Sequence, residues 1–215
     1  MSNESIGTRD LIINSAKSQF YLNGYKDTTI SNIFSSLEVP AGVFTYYFKT
    51  KDMLVTEIYK EFFEKIDERI TKQFESIKDK PFLLQVICSK IYYDVILSNK
   101  NNARFYYQVL ERKSNLRVNS GIVTPRFHRY IDEFNLIITE EEFETIVMLD
   151  AGARKEFFMD YFLKKRKIAP NSVSDIIESS IPLLMGIDKS IVDSTLFKAS
   201  KIAKSIDYSD LIFLV

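Results

Sequence analysis

From Ile12 to Ile206, apolar residues return at intervals of three and four along almost the whole chain. Ile12, Ile13, Ala16 and Phe20 form one such stripe, and Ile30, Ile33, Phe34 and Leu37 form another. A third runs through Met53, Leu54, Ile58, Phe62, Ile66, Ile70 and Phe74. That spacing gathers side chains on one face of an α-helix. Six glycines and five prolines in 215 residues leave little material for a turn-rich all-β fold. The expected class is all-α. At 46% hydrophobic residues the chain has enough apolar material for a core, which argues against disorder.

The punctuation divides the chain into helices expected at 5–22, at Thr28–Leu37, and at 40–47, 51–76, 82–98, 101–113, 123–138, 140–167, 172–187 and 189–206. Gly24 follows Asn23 as a stop, because glycine accepts the left-handed conformation that ends helices. Thr28 and Thr29 can cap the next helix, and Pro40 suits a first helical turn. Thr50 caps the long helix that follows, with Asp52 near its positive end. Later breaks fall at Pro81, Asn99–Asn102, Asn119–Gly121, Thr139, Ala169–Asn171 and Gly186–Asp188. The division expected to matter for function lies near residue 50, giving segments 1–50 and 51–215.

Charge restricts the partners. Lys+Arg and Asp+Glu number 29 each, so any contact with nucleic acid must come from a local patch. One cysteine, Cys88, and one histidine, His128, allow no disulfide within the chain and argue against a zinc site. No metal and no cofactor is expected. The sequence has no glycine-rich phosphate loop and no nucleophile arrangement, so an enzyme is not expected either. No apolar run approaches the roughly 20 residues that span a bilayer. The opening MSNESIGTRD lacks the basic-then-apolar layout of a signal peptide. A cytoplasmic protein without membrane contact is expected.

Two short helices separated by a brief break and braced by a preceding helix make a helix-turn-helix. Here the residues add more. Arg9, Ile12, Ala16, Phe20, Gly24-Tyr25, Thr28-Thr29-Ile30, Ile33, Val39, Gly42, Phe44, Tyr46-Tyr47-Phe48-Lys49 and Lys51 stand at fixed spacing without gaps. This pattern, from residue 9 to about 54, resembles the DNA-binding domain of the TetR family. The resemblance implies a three-helix DNA-binding domain followed by a helical bundle that binds a ligand and dimerises. It implies repression of a double-stranded DNA operator by a homodimer, relieved by a small-molecule effector.

The residues assign roles within that frame. Gly42 lets the recognition helix approach DNA closely. Ala41, Val43 and Thr45 face the bases and suit thymine methyl groups, which points to an A·T-rich operator. Tyr46 and Tyr47 offer hydroxyls to phosphate, and Lys49 and Lys51 add positive charge. Thr28 and Thr29 sit where free helix N–H groups can hold a phosphate. Tyr47 can equally be core, and both lysines can equally be solvated. The chain departs from the family pattern in the turn, where Glu38 replaces a frequent glycine and is expected to be strained. Ala41 and Thr45 depart from it too. Residues 1–52 hold five basic and five acidic side chains, so a protein-interaction module without DNA binding is the alternative reading.

The aromatics of residues 82–163 either fill a core or line a pocket. Tyr92, Tyr93, Arg104, Phe105, Tyr107, Phe127, His128 and Phe158 are the candidate ligand residues. Residues 100–130 carry seven basic side chains, among them Lys113, Arg117 and Arg126, against the single acid Glu111. That bias favours an anionic effector, or else a solvated basic face; an apolar effector is the other possibility for the pocket. His128 reads equally as a surface residue, and Cys88 as buried filler. By the resemblance, residues 140–187 supply the dimer interface, with Phe157, Tyr161, Ile177, Ile181 and Leu184 as its candidates. Burial of this stripe within the monomer is the competing reading. Beyond Gly186 the chain extends past the usual family end, and its apolar close, Leu211–Val215, is expected to dock.

Overall fold

The structure, a computed structural model, describes residues 7–112 and 114–215, and the side chains of all of these except 114–120. Among the described residues every regular element is helical. The expected first-helix start at residue 5, and the calls on Lys113 and Arg117, lie outside this description.

The N-terminal part contains α1 (Thr8–Asp27), α2 (Ile30–Phe34), a 3-10 turn at Ala41–Val43 and α3 (Phe44–Tyr47). Gly24 interrupts the helical dihedrals of α1 with φ 78° and ψ 174°. Thr29 caps α2 through a reciprocal pair. Its hydroxyl accepts from the Asn32 amide at 3.1 Å, and the Asn32 side chain accepts from the Thr29 amide at 2.9 Å. Thr28 takes no part in that cap. It is buried, and its hydroxyl donates to the Gly24 carbonyl at 2.7 Å, bridging the kink. Ile12, Ile13, Ala16, Phe20, Ile33, Phe44 and Phe48 close a small core. Phe44 stands 6.3 Å from Phe34 and 5.7 Å from Phe48, which fixes α3 on that core.

The larger part begins with α4 (Lys51–Gln73), capped by Thr50, and continues through α5 (Pro81–Leu97), α6 (Lys100–Glu111) and α7 (Ser114–Phe134). It ends with α8 (Glu140–Leu163), α9 (Pro170–Glu178), α10 (Ser180–Leu184) and α11 (Lys189–Ala203). Helix α5 is the axis of the bundle. It is apolar nearly all round, and α4, α6, α7, α9 and α11 all pack on it. Helix α1 lies along α6, so contacts cross the expected division near residue 50. Among the described residues no single helix is long and apolar enough to cross a membrane.

Several boundaries differ from expectation for physical reasons. No break occurs at Asn119–Gly121; α7 runs through it, because a lone glycine weakens a packed helix without ending it. The span expected as 172–187 divides at Ser179 into α9 and α10. Helix α8 ends at Leu163, and Lys165 then takes a left-handed φ of 49°. Glu38 is not among the residues with positive φ, so its expected strain is absent; Lys49, with φ 51°, makes the left-handed turn between α3 and α4. The apolar C-terminus docks as expected. Phe213 is buried 5.0 Å from Tyr59, 5.1 Å from Phe62 and 5.9 Å from Phe105.

Candidate functional site

The helix-turn-helix presents one exposed edge. Pro40, with φ −61°, starts the 3-10 turn, and Ala41, Gly42, Thr45, Tyr46, Tyr47 and Lys49 stand exposed around it, with Val43 half-buried. Tyr46 is 82% exposed and Tyr47 only 37%, their rings edge to face at 5.0 Å. A β-carbon on Gly42 would meet nothing within 4 Å, so nothing inside this chain requires a glycine there. Thr29 is exposed at the start of α2.

Two residues expected at phosphate are turned inward. Thr28 is buried as described above. The Lys51 ammonium donates to the carbonyls of Tyr25 and Thr28, both at 2.8 Å, and lies 4.1 Å from the centre of the Tyr25 ring. Burial, reinforced by Arg112, lowers the Lys51 pKa. The reason is geometric: the ammonium closes carbonyls left open where α1 ends. Arg9 pairs with Glu57, and Lys17 pairs with Glu61 at 2.8 Å. Lys26 and Lys49 are therefore the exposed cations among the described residues 7–50.

A second candidate site is a cavity of about 70 Å³ inside the bundle. Its aromatic walls come from Phe63 on α4, Tyr92 and Tyr93 on α5, Tyr106 on α6 and Phe127 on α7. Its polar end is Gln85 on α5, Asp150 and Arg154 on α8, and Glu178 on α9. Arg154 bonds Asp150 through Nε, Glu178 at 3.0 Å and the Ile177 carbonyl at 3.1 Å. Asp150 also accepts from Ser180, and Glu178 from Gln85 at 3.3 Å. Burial works against the charge on Arg154, but Glu178 and Asp150 together raise its pKa above the ordinary value. Burial pushes the Tyr93 phenol up to about 12 and raises Tyr92 and Tyr106 as well, so these hydroxyls are neutral.

Of the candidate ligand residues, the fold brings Tyr92, Tyr93 and Phe127 to the cavity. Phe158 stands behind the wall, 5.2 Å from Tyr93 and 5.1 Å from Tyr106. The others lie elsewhere. Phe105 packs 5.0 Å from Phe20 on α1. Arg104 donates to the carbonyls of Tyr21 and Leu22, both at 2.8 Å, ahead of the α1 kink. Tyr107 contacts Phe162 and Glu111. His128 is exposed, with Nε2 3.3 Å from Glu140 and its ring on Phe143. Among the described side chains, no cation of residues 100–130 lines this cavity; Arg104 is committed to α1 and Arg126 to Asp67. Sequence reasoning missed Asp150, Arg154 and Glu178. The signal was an acid and an arginine four apart on a largely apolar helix.

The dimer candidates separate into two faces. Ile177 and Ile181 are buried within the chain, and Phe157 and Tyr161 are half-buried. Leu184 is exposed, and Ile176, Leu183, Met148 and Leu149 are exposed with it, beside Gly152 and Ala153.

Residues 12–58 match the model of the tetR family of bacterial regulatory proteins, a span from α1 into α4. The chain is 27% identical over 141 residues to a Bacillus subtilis (strain 168) protein named probable HTH-type transcriptional regulator YttP. That alignment covers 64% of this chain and 66% of the relative, just under two thirds of its length. The crystal structure of RolR in complex with the ligand resorcinol has a similar fold. Its TM-score is 0.52 at 14% identity, over 91% of this chain and 92% of that one.

Proposed function

Because this chain belongs to the tetR family of bacterial regulatory proteins, we propose that it is a cytoplasmic, dimeric transcriptional repressor that leaves its DNA operator when a small molecule occupies the bundle cavity. One observation carries the reading. Helix α6 gives Tyr106 to the cavity wall and, one face round, holds α1 through Arg104. A ligand that shifts α6 must therefore shift the DNA-binding part, 1–50, against the bundle, 51–215. Resorcinol bound to a protein of similar fold supports a ligand role for the bundle.

DNA contact falls to Thr29, Ala41, Gly42, Val43, Thr45, Tyr46, Tyr47 and Lys49. Two copies, joined through the exposed apolar face of α8 and α9–α10, would set two recognition elements roughly 34–36 Å apart, one helical turn of DNA. Few exposed cations make each half-site weak, and two together supply the affinity. A coupling of about 1–3 kcal/mol would lower operator affinity roughly 5–150-fold on ligand binding.

The test is a gel shift with DNA flanking the chain's own gene, across a salt series. Saturable binding that weakens with salt supports the reading. Its absence at low salt would move the chain to the protein-interaction alternative.

A further inference from the structure

The charges around the cavity do not cancel. Asp150 and Glu178 are 3% and 2% exposed, and Arg154 is the one cation against them among the described side chains that line the cavity. The polar end therefore carries one net negative charge in a buried place, where an uncompensated charge is unfavourable.

The hydrogen bonding has the same sign. All three guanidinium nitrogens of Arg154 are engaged, by Asp150, Glu178 and the Ile177 carbonyl, and the group lies 5.4 Å from the centre of the Phe127 ring. Gln85 has both ends of its amide committed. It donates to Glu178 and accepts from Arg126 at 3.2 Å. Among the described side chains lining the cavity Arg154 is the one charged donor, and each of its nitrogens already faces an acceptor of the chain itself, with three of its five N–H groups spent. The carboxylate oxygens each accept a bond already, yet a carboxylate has about four lone-pair positions and keeps acceptor capacity. Phe63, Tyr92 and Tyr106 line the same cavity. Spare acceptors, net negative charge and aromatic walls together select a cation.

We infer that the effector cavity takes a small organic cation, an amidinium or ammonium on a body no larger than one ring, and rejects carboxylates. The inference rests on the reading of this cavity as the effector site, and it reverses the expectation of an anion drawn from the basic stretch 100–130. Size sets the limit. The cavity, at about 70 Å³, is smaller than the ~150 Å³ apolar cavity that admits benzene, so a ring must displace a wall side chain as it binds.

Calorimetry with benzamidine, benzamide and benzoate tests this, because the three share one shape and differ in charge. Benzamidinium is expected to bind the full chain at least tenfold tighter than benzamide, with benzoate weakest. Glu178→Gln and Asp150→Asn, each first checked for an unchanged helical spectrum, should each reduce that preference. Benzoate or benzamide binding as tightly as benzamidinium would overturn the inference while leaving the cavity an effector site. If none of the three binds, or if Val147→Phe, which fills the cavity, leaves binding unchanged, the effector-site reading fails and the inference falls with it.

Discussion

The side-chain oxygen of Gln108, on α6, occupies the space that a β-carbon on Gly24, in α1, would need. The same oxygen accepts the Lys26 amide at 2.9 Å. Gly24 is held at φ 78° and ψ 174°, a conformation nearly confined to glycine. Sequence and packing thus demand the same residue twice, once for the backbone and once for room. The contact lies at the junction between the two parts of the molecule.

Gly24→Ala is expected to cost about 1–3 kcal/mol from backbone strain alone, with the clash adding to it. Removing the obstacle with Gln108→Ala should recover only the steric part. A double-mutant cycle by urea denaturation should give a coupling of about 0.5–3 kcal/mol between the two positions. Strict additivity would mean that α1 and α6 do not meet here.

The Arg154 cluster makes a second prediction. Arg154→Met leaves Asp150 and Glu178 buried without their cation, and breaking a buried pair in this way costs about 3–5 kcal/mol. Arg154→Lys should recover part of this at most, since an ammonium cannot reproduce the fork onto two carboxylates and a carbonyl. Chemical denaturation of the three proteins measures it. A loss below about 1 kcal/mol in Arg154→Met, the size expected of an exposed pair, would contradict the burial of this cluster.

These two sites show what was legible in the sequence. The periodicity of α4 and its Thr50 cap could be read because each is local. The helix-turn-helix could be read because Phe44 and Phe48 stand at fixed spacing on a small core. Arg104 could not be placed, because a basic residue in an aromatic stretch looks the same whether it meets a ligand or the end of another helix. Ile176 and Ile177 are adjacent and equally apolar, yet one is exposed and the other buried. Only the packing of α9 on α5 decides which face turns inward. The polar end of the cavity brings Gln85, Asp150 and Glu178 together from three helices, and no spacing in sequence records that.

The docked C-terminus should respond to acid. Arg69 forks onto Asp210 at 2.8 and 2.7 Å, and this bond holds the Asp210 carboxyl below the usual carboxylate range. The Ser209 amide and hydroxyl hold Asp207 low in the same way. Because both folded-state values lie below the unfolded ones, their stabilisation is full above about pH 4 and is lost as pH falls through the folded values. Hydrogen-exchange protection at residues 206–215, taken relative to the intrinsic rate at each pH, should fall below about pH 4, ahead of the bundle. Asp210→Asn should show the lower protection already at neutral pH and a smaller change on acidification. Uniform protection down to global unfolding would mean that Phe213 alone holds the segment.

Dimerisation is tested on the face that the fold leaves exposed. Leu149→Glu combined with Leu184→Glu places charges where two copies would meet, and light scattering should then report a monomer with native helix content. Ile177→Ala and Ile181→Ala should instead lower stability by about 2–5 kcal/mol each, as core deletions do, and leave the assembly unchanged. A dimer that survives the paired glutamates would place the interface elsewhere.

Lys49 and Lys51 are two residues apart, carry the same charge and should behave oppositely. Lys49 is exposed, whereas Lys51 spends two of its three donors on the carbonyls of Tyr25 and Thr28. For a phosphate contact, Lys49→Ala should weaken DNA binding and reduce the slope of log affinity against log salt by about 0.9. Tyr46→Ala should weaken binding with little change of slope, since a hydrogen bond from a phenol to phosphate releases no counterion. Neither should alter the melting temperature much, because neither side chain is in the core. Lys51→Ala should lower the melting temperature and leave the salt slope where it was. Fluorescence anisotropy at three or more salt concentrations, beside thermal melts of the same preparations, separates the cases. A slope that changes with Lys51 and not with Lys49 would exchange their roles and return Lys51 to the phosphate-facing position that its sequence spacing suggests.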